Sequence, residues 1–309
     1  MSISVSTPTL ISSTPDLKAF LSSLPTPSTL YLDLEGKSLS RFGTISLITI
    51  LVHPQKVVRL IDVTTLGKSA FTTAADNNRS LKSILEDPDT PKYIWDVRND
   101  ADALWALYDV GLAGVIDLQL LENASRPGDK TYIHGLDKCV QADLKLGFME
   151  LHRWIRTKKD IQNLMPSNVF ASRPMDDKTV QYCVNDVIHL PTLHTRYLKR
   201  LQGGWLTRVV EQSVRRVEEA HSPGYDPQSL GKKLGPWGSG TEKKVVTVDE
   251  MCDMLEEERE DNLARGMFDE DEVGYYVYDY YDDYVDERMN CADGAVFPEA
   301  FDSCWDKNS

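Results

Sequence analysis

The sequence predicts an α/β fold: a mixed five-stranded sheet with helices on both faces, then a helical C-terminal half and an acidic tail. Three observations predict it. Apolar, β-branched runs at 30–36, 43–52 and 56–63 follow one another across short polar turns, so they form an antiparallel meander. Two shorter runs, KYIWDV at 92–97 and GVIDL at 114–118, alternate with helical stretches, which is the pattern of parallel strands. Beyond residue 135 helical periodicity takes over.

Taken in order, residues 1–24 are a Ser/Thr/Pro-rich lead-in that ends in a short amphipathic helix, DLKAFLSSL, with Asp16 as its cap. Residues 25–222 form the folded domain. After the meander, RSLKSILE at 79–86 is a helix stopped by Asp87 and Pro88. The strand at 92–97 runs into a helix over 99–110, which Gly111 terminates. The strand at 114–118 feeds another short helix. GLDKCVQADL at 135–144 is helical, and a further helix opens near Asp176 and runs toward Leu201, with Arg173-Pro174 just ahead of it. An amphipathic helix at 205–221 carries Arg208, Arg215 and Arg216. Residues 223–246 read as a Pro/Gly linker, and 247–309 as the acidic tail. No internal repeat is present.

Composition narrows the function classes. No apolar run approaches a membrane span, and the N-terminus lacks a signal-peptide pattern, so no membrane role is expected. The five cysteines contain no Cys-x-x-Cys pair, so neither a zinc site nor a disulfide framework is signalled. A reducing intracellular location follows, with nucleus and cytoplasm both open. The net charge of −14 is unevenly distributed: from residue 249 on there are 21 acidic and 4 basic residues, leaving 27 and 30 in residues 1–248. The folded part is mildly basic and compatible with a polyanionic partner.

Three motifs carry chemistry. Asp33 and Glu35 lie two apart in a strand and share one face, where two carboxylates need a counter-charge or a metal. The second motif is RNDADALWALYDVG, where Asp100 and Asp102 both sit in the first turns of a helix and either could point at the sheet edge. The third is Tyr182-Cys-Val-Asn-Asp186, whose spacing of four places Tyr182 and Asp186 on one helical face.

In this order, on a strand, a helix start and a late helix, the set resembles the DEDD superfamily of 3'-5' exonucleases. It matches the subgroup with tyrosine in the third motif, which includes ribonuclease D and the Werner-type exonuclease domain. The resemblance covers about residues 25–220. It implies a ribonuclease H-like fold and hydrolysis of phosphodiester bonds at nucleic-acid 3' ends, in RNA or single-stranded DNA, with release of nucleoside 5'-monophosphates. Asp33, Glu35, Asp102 and Asp186 would hold two divalent ions, Mg²⁺ or Mn²⁺; Asp102 is chosen because its spacing to Gly111 fits the family's helix and closing glycine. Tyr182 would orient the attacking water, and Asp117, in GVIDLQ, would be a supporting acid. The chemistry accounts for these residue types. Two hard cations roughly 3.5–4 Å apart can serve both oxygens of an in-line displacement, and such ions take oxygen ligands. An exonuclease fold that only binds RNA, as an adaptor without turnover, is the alternative; the intact acids favour the enzyme.

Further residues are candidates for nucleic-acid contact. Arg98 and Asn99 precede the second motif, where phosphate contact and simple solvation are both open. Arg153, Arg156, Lys158 and Lys159 surround Trp154 in LHRWIRTKKD, a pattern suited to stacking a base and holding phosphates, or to a solvated face. His189, one turn beyond Asp186, reads as a packing residue. In the tail, Thr247-Val-Asp-Glu250 reads as a capping box, and six tyrosines among acids follow in EDEVGYYVYDYYDDYVDE. Such a polyanion could dock a partner protein or cover a basic groove, in which case truncation at Gly240 raises nucleic-acid affinity.

Overall fold

The computed structural model describes residues 7–238, and the acidic tail with its capping box lies outside them. Its sheet is mixed, as expected, but has six strands rather than five, in the order β1-β4-β3-β2-β5-β6. The meander consists of β2 (Thr29–Glu35), β3 (Leu47–His53) and β4 (Val57–Asp62), all antiparallel. β5 (Lys92–Ile94) and β6 (Val115–Asp117) extend it in parallel beyond β2. The extra strand, β1 (Thr9–Ile11), lies within the stretch read as a loose lead-in and pairs parallel with β4, with Leu10 opposite Leu60. Three residues are too few to show a period of two, and only Ile11 is buried.

Helices cover both faces. α1 (Thr14–Ser23), α2 (Val63–Leu66), α3 (Ser69–Thr72), α4 (Leu81–Leu85) and α5 (Arg98–Tyr108) precede α6 (Leu118–Ser125), α7 (Leu136–Asp143) and α8 (Phe148–Gln162). Then come α9 (Asp177–Ile188), α10 (Leu190–Arg200) and α11 (Trp205–His221). α1 starts two residues earlier than expected, because Ser13 rather than Asp16 accepts the capping N–H. The helix expected over 176–201 is two helices. Pro191 has no N–H to continue the first ladder and sits in the opening turn of the second. No helix among the described residues is long and apolar enough to cross a membrane.

Strand alternation divides the core. Leu32, Leu34, Ile48, Ile50 and Val52 pack on one face with α1, α4 and α5, while Tyr31, Leu47 and Leu51 join α6, α9 and α10 on the other. Asp33 and Glu35 therefore share the second face with Tyr31, beneath α9, which lies across β2 and β3.

The stretch read as a linker is docked on the domain as far as residue 238. Tyr225 Oη and Lys232 Nζ both donate to Asn99 Oδ1, at 2.7 and 2.6 Å. Leu234 bridges to Tyr132, and the Gly235 N–H donates to the Thr131 carbonyl at 2.7 Å. A Cβ at Gly235 would lie 2.2 Å from the Lys130 carbonyl oxygen, so the approach requires glycine. Trp237 meets the Trp205 ring edge-on at 5.4 Å.

Candidate metal and active site

The C-terminal end of β2 and the last turn of α9 bring three acids together. One ligand oxygen from each of Asp33, Glu35 and Asp186 lies within 4.8 Å of the others, and all three residues are buried. The strand supplies two acids on one face, and the helix supplies the third from above. Three carboxylates this close and this buried repel one another strongly unless a proton or cation intervenes. An all-oxygen donor set of this kind suits a hard divalent ion such as Mg²⁺ or Mn²⁺.

Tyr182 sits one turn before Asp186 and is 1 % exposed. Burial, then the charges of Asp186, Glu35 and Asp33, push its phenol well above the usual value, so it remains a protonated donor. Cys183 faces the same acids. Burial and the three carboxylates raise its thiol as well, so it offers no thiolate to a soft metal.

Asp102, read as the fourth acid, is not part of this cluster. Its fully buried carboxylate is gripped by Arg41, whose Nε lies 2.6 Å from Oδ1 and whose backbone N–H lies 2.7 Å from Oδ2. Arg41 Nη2 also donates to the Ala220 and Ser222 carbonyls at 2.8 Å, so the pair fastens the β2–β3 connection to the end of α11. Asp100, two residues earlier, is also buried and lies about 200° around the helix from Asp102. Gly111, expected to close α5, does not do so. The helix ends at Tyr108, with Asp109 in the left-handed conformation at φ 54°, and Gly111 instead donates its N–H to Glu86 Oε1.

Asp117 supports this region through its backbone contacts. Its carboxylate accepts from the N–H groups of Asp96, Val97 and Gln119, and from Arg216 Nη1 at 2.6 Å. It thereby fixes the turn from which α5, and Asp100 with it, emerges.

The residues read as nucleic-acid contacts fare differently. Arg98 is buried against Asp96, at 2.6 and 2.8 Å, and donates to the Lys232 carbonyl, while the Asn99 side chain is taken by Tyr225 and Lys232. Both side chains fasten the 223–238 segment to the start of α5. Arg153, Arg156 and Lys159 are not buried on α8. Trp154, however, is 4 % exposed, with Nε1 directed at the Asn185 carbonyl 3.5 Å away and Lys158 over its ring at 5.2 Å. It packs α8 against α9 and cannot stack a base. His189 is buried, as its packing role requires. Arg173, next to Pro174, forms a two-pronged pair with Asp62 at 2.8 and 2.5 Å.

A second group of metal-ligating residue types, Glu122, His134 and Cys139, also converges within 4.8 Å. Arg126 occupies both Glu122 oxygens at 2.9 and 2.6 Å, and its positive charge opposes a cation there. This group is an ion-pair network.

The model of the 3'-5' exonuclease family matches residues 8–202. No curated protein sequence matches the chain. Among solved structures, ribonuclease D of Trypanosoma brucei in complex with GMP superposes with a TM-score of 0.59 at 22% identity, over 70% of this chain and 64% of that one. The same enzyme has been solved with RNA U12. The catalytic core of RRP6 from T. brucei gives 0.53 at 18% identity, over 70% and 53% of the two chains. Escherichia coli RNase D gives 0.51 at 16% identity, over 69% and 50%. The chain thus spans from half to just under two thirds of the length of these three structures.

Proposed function

The chain belongs to the 3'-5' exonuclease family, and from that premise we propose that it is a metal-dependent 3'-5' exonuclease acting on single-stranded nucleic-acid ends and releasing nucleoside 5'-monophosphates. The observation that carries the reading is the convergence of Asp33, Glu35 and Asp186 beside the protonated phenol of Tyr182. Asp33, Glu35 and Asp186 would hold divalent ions, with Asp102 or Asp100 of the second motif as the fourth acid. When bound, a pair of such ions supplies charge stabilisation at the attacking and leaving oxygens of an in-line displacement. The protein's part is to hold its acids in one place and to exclude other geometries. Tyr182 Oη donates to and accepts from the attacking water, orienting it toward the phosphorus. The solvent-facing cations of α8, which packs against α9, hold backbone phosphates.

RNA is the first substrate to test, since the trypanosome ribonuclease D was solved with it. The test is degradation of labelled single-stranded RNA and DNA with Mg²⁺, Mn²⁺ or EDTA, products resolved by length. A ladder shortening from the 3' end only with metal supports the reading. Binding with metal but no shortening of either strand overturns it in favour of an adaptor.

A further inference from the structure

On the same sheet face as the acids, toward the opposite end of β3, the chain forms a concave pocket of about 700 Å³. One wall is the β3–β4 turn, with His53 and Lys56, and the other is α10, with Thr192, Arg196, Lys199 and Arg200. Leu51, Ile188 and Pro191 line the remainder. No carboxylate lines the pocket. Arg200 is paired with Asp143 at 2.5 Å, a carboxylate that also accepts from Tyr197 Oη. Lys56, Arg196 and Lys199 have no ion-pair partner among the described residues.

Like charges gathered around a concavity repel one another, and low-dielectric walls focus their field on whatever enters. The apolar lining suits a sugar or a base, and the cationic rim suits phosphates; together they fit a polynucleotide better than a lone small anion. The pocket is also within reach of the acids. Asp33 lies opposite Thr49, and Thr29 opposite His53, so four strand residues separate the two places, about 13 Å. Ile188 ends the helix that carries Asp186.

We propose that this pocket binds the phosphodiester backbone of the nucleic-acid strand upstream of the 3' end held at the acids. The proposal rests on the exonuclease reading for the identity of its ligand. It is tested by binding to the full chain in EDTA, where no turnover occurs, with labelled single strands of about 2 and about 20 nucleotides over a range of salt. In the Lys56→Gln/Arg196→Gln/Lys199→Gln variant, checked for native circular dichroism, Kd for the long strand rises about tenfold. Its log–log salt slope shrinks by about two, at about 0.7 for each phosphate no longer neutralised. Affinity for the short strand stays within about twofold. An unchanged Kd and slope for the long strand, or equal weakening at both lengths, overturns the proposal. Because binding is read without hydrolysis, a protein that degrades nothing but shows this length-dependent loss keeps the pocket while losing the exonuclease reading. Robust hydrolysis with unaltered long-strand binding has the reverse meaning.

Discussion

Arg41 grips Asp102 through both carboxylate oxygens, at 2.6 Å from Nε and 2.7 Å from its own backbone N–H. This second-motif acid is thereby part of the fastening between the β2–β3 connection and the end of α11. Asp102→Asn is expected to destabilise the protein by about 3 kcal/mol, because it strands a largely buried guanidinium. Under the proposed reading the second motif supplies the fourth acid, so one of Asp102→Asn and Asp100→Asn loses hydrolysis. Thermal melts and turnover of the two variants side by side decide which; folded Asp102→Asn and Asp100→Asn proteins that both cleave like wild type would overturn the assignment.

Asp33→Asn removes one of three mutually repelling charges. Hydrolysis should fall by at least about a hundredfold, the scale of losing a single transition-state interaction, while the fold is retained. Mn²⁺ should raise the Tm of wild type by binding only the folded state, and raise that of the variant less. Calorimetry with and without metal checks this, and full cleavage by Asp33→Asn excludes the acid cluster as the site.

Tyr182→Phe keeps the buried ring and loses the hydroxyl. We expect turnover to drop on the order of a hundredfold, the lower range for a positioned proton donor or acceptor, with little change in melting temperature. The phenol is held protonated by burial and the surrounding carboxylates, so wild-type activity should show no alkaline fall due to this group up to about pH 9. A pH–rate profile of both proteins measures it.

His194 gives the fold an acid sensitivity. Tyr31 Oη lies 2.9 Å from its Nδ1, and burial, with the neighbouring His53, lowers the imidazole to about 4 from the usual 6.5. The unfolded chain takes up this proton first as pH falls. The contribution is therefore fully present above about pH 6.5 and is lost between there and pH 4. With the ring only partly buried, about 1–2 kcal/mol is expected. Urea unfolding at pH 7 and pH 5 tests this, and His194→Gln should flatten the difference.

Much of this was legible in the residues and some was not, for identifiable reasons. Asp33-x-Glu35 obeys a period of two and Tyr182-x-x-x-Asp186 a period near four, so each pair announced its shared face. β1 was missed because three residues carry no period. Gly111 has the look of a helix end, whereas a left-handed Asp109 closes the helix. Trp154 lies among charges in sequence, yet its face of α8 turns inward. The docking of Tyr225 and Lys232 on Asn99 joins residues more than a hundred positions apart, and nothing local to either end encodes it.

That docking sets how short a self-sufficient polypeptide can be. Ending the chain at 222 would remove both donors from Asn99, the carbonyl that receives Arg98 and the ring that covers Trp205. Residues 223–238 act as a buckle across the seam where the second-motif helix begins, and the smallest piece that closes over itself runs to 238.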